Sequence, residues 1–280
     1  MSQFTPIEDV SSFRRMAAGM WRSPSDPSIY GSMDVDATPA LAFLAEHQRV
    51  VPAPGAGPGA STAGGVKLTV THLVARAVAL ALRDQPEING KVRFWGRLEQ
   101  RASIDVFVTV ATGRDLSGAR IDRADEKSLT AIAGEIAERA GKIRSGADAS
   151  YQKSRSLLKS VPWWLARPAT WLSDVLVNEL HVDLPAQGMP RDPFGSAIVT
   201  SVGMYGIDAA FAPFVPLARC PMLILVPEVR PRPWAVGDHV EVRPVLRVCA
   251  TFDHRLIDGA AAGRFAARLT GLFATPDQLA

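Results

Sequence analysis

Two apolar periods interleave along this chain, and no other feature narrows its fold as much. From Thr69 to Arg83 the residues Val70, Leu73, Val74, Ala77, Val78 and Ala81 recur at helical spacing, with Pro86 just beyond. From Ile104 to Ala111 the pattern switches to alternation. Val106, Val108 and Val110 share one face and Phe107 takes the other, which suits a strand covered on both sides. A second helix is expected after Ser128, with Leu129, Ile132, Ile136 and Ile143 on one stripe. Further strands are expected at Ala197–Ser201, Met222–Glu228 and Val245–Phe252. A last helix should start near Asp258, capped by it, and bury Phe265, Leu269 and Leu272. The two periods mix without a break in composition, so the reading is one α/β domain over 1–280.

With 47% hydrophobic and 21% charged residues, the chain can bury a sizeable core. Its formal charge of +3 is spread among nearly equal numbers of acids and bases, which gives no reason to expect nucleic acid as a partner. Cys220 and Cys249 stand in no C-x-x-C pattern and have no histidine at ligand spacing, so they read as reduced core residues and no metal is expected. Met1 to Asp9 lacks the charged-then-apolar order of a secretory leader, and no apolar run reaches the ~18 to 20 residues that span a bilayer. A cytoplasmic protein is the expectation.

Two stretches depart from the globular pattern. Residues 51–65, rich in Gly, Pro and Ala, read as a flexible loop; they fit neither G-x-G-x-x-G nor a Gly-Lys-Ser/Thr ending. Residues 151–188 are densely apolar, with Trp163, Trp164, Leu165, Trp171, Leu172, Val175, Leu176 and Leu180, yet are broken by Pro162 and Pro168 and punctuated by charge. The expectation is a helical insertion packed on the domain or on a neighbouring subunit, beside or over a site between subunits. A lid over a cleft and an interfacial membrane anchor are the alternatives.

His254 follows the apolar strand Val245–Phe252 and precedes a Gly-rich helix start, where a chain leaves the core and can present a side chain at a cleft. Of the other four histidines, His47 and His72 lie in helical patterns, His239 sits in a turn with Gly237 and Asp238, and His181 takes no role from its pattern.

The residues around His254, Asp253-His254-Arg255-Leu256-Ile257-Asp258-Gly259, resemble the D-H-R-x-x-D-G motif of the dihydrolipoamide acyltransferases, the E2 catalytic domains of 2-oxoacid dehydrogenase complexes. Arg14-Arg15-Met16-Ala17, Tyr30 to Asp36, Lys67-Leu68-Thr69, Pro86-Glu87-Ile88-Asn89 and Thr200 to Gly206 follow the same family order. The resemblance implies a chloramphenicol acetyltransferase-like mixed sheet flanked by helices, assembled as a homotrimer or a larger trimer-based assembly with sites at subunit interfaces. It implies acyl transfer between a dihydrolipoyl thiol and coenzyme A. CoA or acyl-CoA would then be substrate and a lipoyl-bearing protein the partner.

A thiol with pKa ~8.5 is mostly protonated at neutral pH, so a neutral imidazole must take its proton during attack. The resemblance makes His254 that base. It gives Thr200 or Ser201 the hydroxyl that stabilises the oxyanion, and makes Asp258 either a group ordering the site or a plain helix cap. Arg255 reads as one half of a structural ion pair. The lipoyl and subunit-binding domains of full-length E2 proteins do not occur in this sequence, and Asp115-Leu116-Ser117-Gly118-Ala119-Arg120-Ile121 replaces the family's G-L-V-V-P-V segment. A different small acceptor, a non-catalytic E2-like scaffold and a membrane-surface acyltransferase are therefore the competing readings.

Overall fold

The computed structural model describes residues 27–47, 66–112, 115–145, 162–183, 191–215 and 217–280. The 51–65 loop, Arg14 to Ala17 and both ends of the 151–188 segment lie outside these residues. In chain order the elements are β1 (Ser28–Asp36), α1 (Thr38–His47), α2 (Val70–Arg83), β2 (Gly90–Val92), β3 (Leu98–Gln100), β4 (Val106–Thr112), β5 (Asp115–Ile121), α3 (Leu129–Arg144), α4 (Ala166–Asp174), β6 (Ala197–Ser201), β7 (Met222–Val226), β8 (Arg230–Val236), β9 (His239–Asp253) and α5 (Gly259–Ala274).

Seven strands form one mixed sheet in the order β1-β9-β7-β6-β4-β5, with β8 paired to the first half of β9. The central pairs β4–β6 and β6–β7 are parallel and the others antiparallel. Parallel neighbours need long crossovers, which are supplied by everything between β4 and β6 and by the connection 202–221. Helices α2, α3 and α5 bury Leu73, Val78, Leu129, Ile132, Phe265 and Leu272 in one core with Val106, Val199 and Ile224 of the sheet. On the other face, Ile198, Leu223, Leu225, Cys220 and Cys249 pack with Phe107, Phe194, Ala212 and Phe214.

The stripes of α3 and α5 fall where their spacing puts them, whereas α2 is buried on every side from His72 to Leu82. Ser128 caps α3 by accepting from Ala131 N (3.2 Å), and Asp258 caps α5 by accepting from Ala261 N (2.8 Å). The strand edges differ from expectation. β7 ends at Val226 and not Glu228, and β9 begins at His239 and not Val245 because its first half pairs with β8. Segment 115–121, which replaces a family motif, is a full strand registered on β4 from Val106↔Ile121 to Thr112↔Asp115. Gly118 is required there, since a Cβ would meet the Phe107 ring at 2.2 Å.

His72 ties α2 to its own start. Its Nδ1 accepts from Thr69 N (3.2 Å), and burial pushes its pKa down from 6.5 to about 4. A folded-state pKa below the unfolded one means that the unfolded chain binds the extra proton first, so stability falls as pH drops from 6.5 toward 4. The loss expected over that window is about 3 kcal/mol. Gln at the same capping-box position keeps an acceptor without titrating. In urea titrations across pH 4 to 7, His72→Gln should therefore flatten this acid limb, and an unchanged limb would assign it to other groups.

Candidate active site

The sheet ends where its longest strand turns into α5, and this turn carries His254. Asp253, buried at the end of β9, organises it. Its N–H donates to Pro221 O (2.9 Å), and its carbonyl accepts from Leu256 N (3.0 Å) and Ile257 N (2.9 Å). Its carboxylate accepts from Arg255 N (3.0 Å), Nε (2.9 Å) and Nη2 (2.6 Å). Arg255 thus takes the structural ion pair expected of it. His254 is tied only through its main chain, donating to Pro27 O (2.9 Å), and its imidazole is exposed to solvent. Leu256 packs under the β2–β3 hairpin, where a Cβ on Gly90 would come within 3.1 Å of it.

The other histidines are occupied locally. His47 bonds Phe43 O (2.9 Å), His72 takes the Thr69 N–H, His239 meets Glu241 (2.9 Å) and His181 lies 3.4 Å from Glu99. Among the described residues no group bonds the His254 imidazole. Both cysteines are buried and free, as their spacing led one to expect. Burial pushes the Cys220 thiol up to about 12 and raises that of Cys249, so neither offers a thiolate to a substrate.

Thr200 is half-buried at the end of β6, and its Oγ accepts a hydrogen bond from the Thr109 hydroxyl of β4 (2.7 Å). That bond leaves the Thr200 proton to be donated elsewhere and strengthens it as a donor. Thr109 was missed in the sequence; its only signal is a hydroxyl on the Phe107 face of an apolar strand. Ser201 follows Thr200 and so projects from the opposite face. The carboxylate of Asp258 is engaged as the α5 cap.

The structure does not bring His254 and Thr200 together. Thr200 is level with Leu225, and Leu225 with Cys249, while His254 lies five residues further along β9. At ~3.3 Å per residue and ~4.8 Å per strand spacing, the two stand on the order of 20 Å apart, at opposite ends of the sheet.

Comparison with known proteins places this geometry. The chain is 26% identical over 212 residues to the dihydrolipoyllysine-residue acetyltransferase component of the pyruvate dehydrogenase complex of Zymomonas mobilis, covering 75% of this chain and 38% of that protein. It is 24% identical over 270 residues to the lipoamide acyltransferase component of the branched-chain alpha-keto acid dehydrogenase complex of Bacillus subtilis, covering 95% and 51%. The chain thus spans about a third to a half of the length of the first of the curated relatives it matches. In fold it is similar to the cubic core of the pyruvate dehydrogenase multienzyme complex, with a TM-score of 0.65 and 24% identity over 99% of this chain and 96% of that one. The model of the 2-oxoacid dehydrogenases acyltransferase (catalytic domain) family matches residues 5–154 and 193–280, which brackets the Thr200 strand and the His254 turn and passes over 155–192. The chain belongs to this family of 2-oxoacid dehydrogenase acyltransferase catalytic domains.

Proposed function

We propose that the chain transfers an acyl group between coenzyme A and a second thiol of dihydrolipoyl type, in a site that two copies complete. The observation that carries this reading is the exposed imidazole of His254, held at the sheet end by the Asp253 hub. In the forward step that imidazole takes the proton of the attacking thiol, and the sulfur adds to the thioester carbonyl. The oxygen gains the negative charge, and the Thr200 hydroxyl, polarised by Thr109, donates to it. The old C–S bond then breaks, and the departing sulfur recovers the proton from the imidazolium. The reaction neither consumes nor releases a net proton. With both cysteines buried and their thiols raised, no acyl-enzyme on sulfur is needed or available.

Oxyanion donors must lie within hydrogen-bond distance of the carbon attacked, and on the order of 20 Å within one chain forbids that for His254 and Thr200. A neighbouring copy therefore supplies Thr200. The fold shared with a cubic multienzyme core supports a trimer-based assembly, and the likeness to lipoamide acyltransferases supports a lipoyl group carried on another protein as donor. Asp258 contributes by holding the start of α5, and through it the length of the His254 turn.

His254→Ala should leave the fold and assembly intact while lowering acyl transfer from acyl-CoA to dihydrolipoamide by ~10² to 10⁴. Near-normal turnover would remove His254 as base. Thr200→Ala should lower kcat by an amount equivalent to roughly 2.7 to 4 kcal/mol with KM little changed, and Thr109→Val should give a smaller loss of the same kind. The same loss in Ser201→Ala, with Thr200→Ala unaffected, would move the donor to the other face of the sheet. Co-expressing the His254→Ala and Thr200→Ala chains should restore up to about a quarter of wild-type activity, the share of sites in a random assembly that join two intact groups. A mixture as dead as its components would place the site within one chain.

A further inference from the structure

Strand β9 overruns its neighbour. Its pairing with β1 stops at Asp36↔Val245, so residues 239–244 pair only with β8 and leave the sheet as a two-stranded arm. The register sets Pro231 opposite Pro244, Pro233 opposite Val242 and Ala235 opposite Val240, and directly opposed residues share a face. That face of the arm carries no charge, and it is bare. Val240 is 69% exposed and Val242 76%, with Pro231, Pro233 and Ala235 exposed beside them.

The opposite face of the arm is the polar one, and its charges are neutralised within the chain. Arg232 pairs with Asp208, Arg243 with Asp36 (2.6 Å), and Glu241 with Arg243 (3.0 Å) and His239 (2.9 Å). Pro231 and Pro233 take two N–H donors out of β8, which disfavours addition of a further strand at its outer edge. The apolar face is what remains open to a partner. A two-stranded hairpin standing alone is marginal in water, so a cover on this face stabilises the arm as well.

We propose that the apolar face of this arm seats on a second copy of the chain. The inference rests on the two-copy reading of the site and names a surface that holds the copies together. Thr200 is level with Cys249, and the arm leaves the sheet beyond Val245, so it starts ~13 Å past Thr200 and projects from the same sheet end. That end is where the partner's His254 must arrive. The His254 end has exposed apolar ground of its own: Tyr30, level with Thr251, is 54% exposed and packs edge-on against Phe211 (5.7 Å), itself 46% exposed. A contact between the Thr200 end of one copy and the His254 end of the next joins two different surfaces, the head-to-tail kind that closes into a ring. A strongly charged partner fits less well, because the face offers it no ion pair.

The test is sedimentation velocity of the full chain over a dilution series, with acyl transfer measured on the same samples. Val240→Asp/Val242→Asp should raise the concentration at which the copies part by roughly a hundredfold, and activity should fall with the mass. Val240→Thr/Val242→Thr keeps the side-chain shape and the strand preference. It should shift dissociation the same way by less, and it decides the matter should the aspartate pair fold poorly. An assembly that parts at the unmutated concentration in every folded variant overturns this inference and leaves the two-copy reading standing. An unmutated chain that sediments as a single copy at every concentration overturns both.

Discussion

Strand β9 is the constraint on which the rest of the structure hangs. Over fifteen residues it pairs with β1 along one edge and with β8 and then β7 along the other. Its buried second half, from Val245 to Asp253, anchors both sides of the sheet core. Its register fixes where Asp253 stands, and Asp253 fixes the turn. One carboxylate taking three donors from Arg255, with the same residue's carbonyl taking two backbone N–H groups, closes a loop too short to hold itself by packing. The imidazole is then left open to solvent on a main chain fixed by these bonds, as the proposed role of a base meeting successive thiols would require.

Under the proposed reaction, the same register calls for more than one copy. A parallel pairing of β6 on β7 and an antiparallel pairing of β7 on β9 send the ends of β6 and β9 to opposite edges of the sheet. Any chemistry that needs groups from both ends cannot be done by one copy, whatever the side-chain conformations. Under that reading, dependence on a second copy follows from topology. It needs no assumption about particular contacts between copies.

What was legible in the sequence was local. The stripes of α3 and α5, the caps Ser128 and Asp258 and the His254 turn are all written within a few residues of each other, so periodicity and motif suffice. Strand β8 was hidden by Pro231 and Pro233, which normally argue against a strand. It survives because it pairs on one side only, with β9. The Thr109–Thr200 bond joins residues 91 apart through a parallel pairing that no local pattern announces. His254 could therefore be proposed from the sequence as one half of a site, whereas its distance from Thr200 could not be read there.

The ion pairs beneath α4 show the same limit and carry the last step. Arg93 leaves the β2–β3 hairpin, Arg219 precedes β7, and both close on Glu179 from positions that sequence spacing does not relate. Each charge is largely withdrawn from water, so removing any one would strand its partners, and the cluster acts as a unit. It joins the insertion to the hairpin that covers Leu256 and to the strand entry whose Pro221 carbonyl holds Asp253. The insertion is therefore fastened, through Arg93 and Arg219, to the same end of the sheet that presents His254.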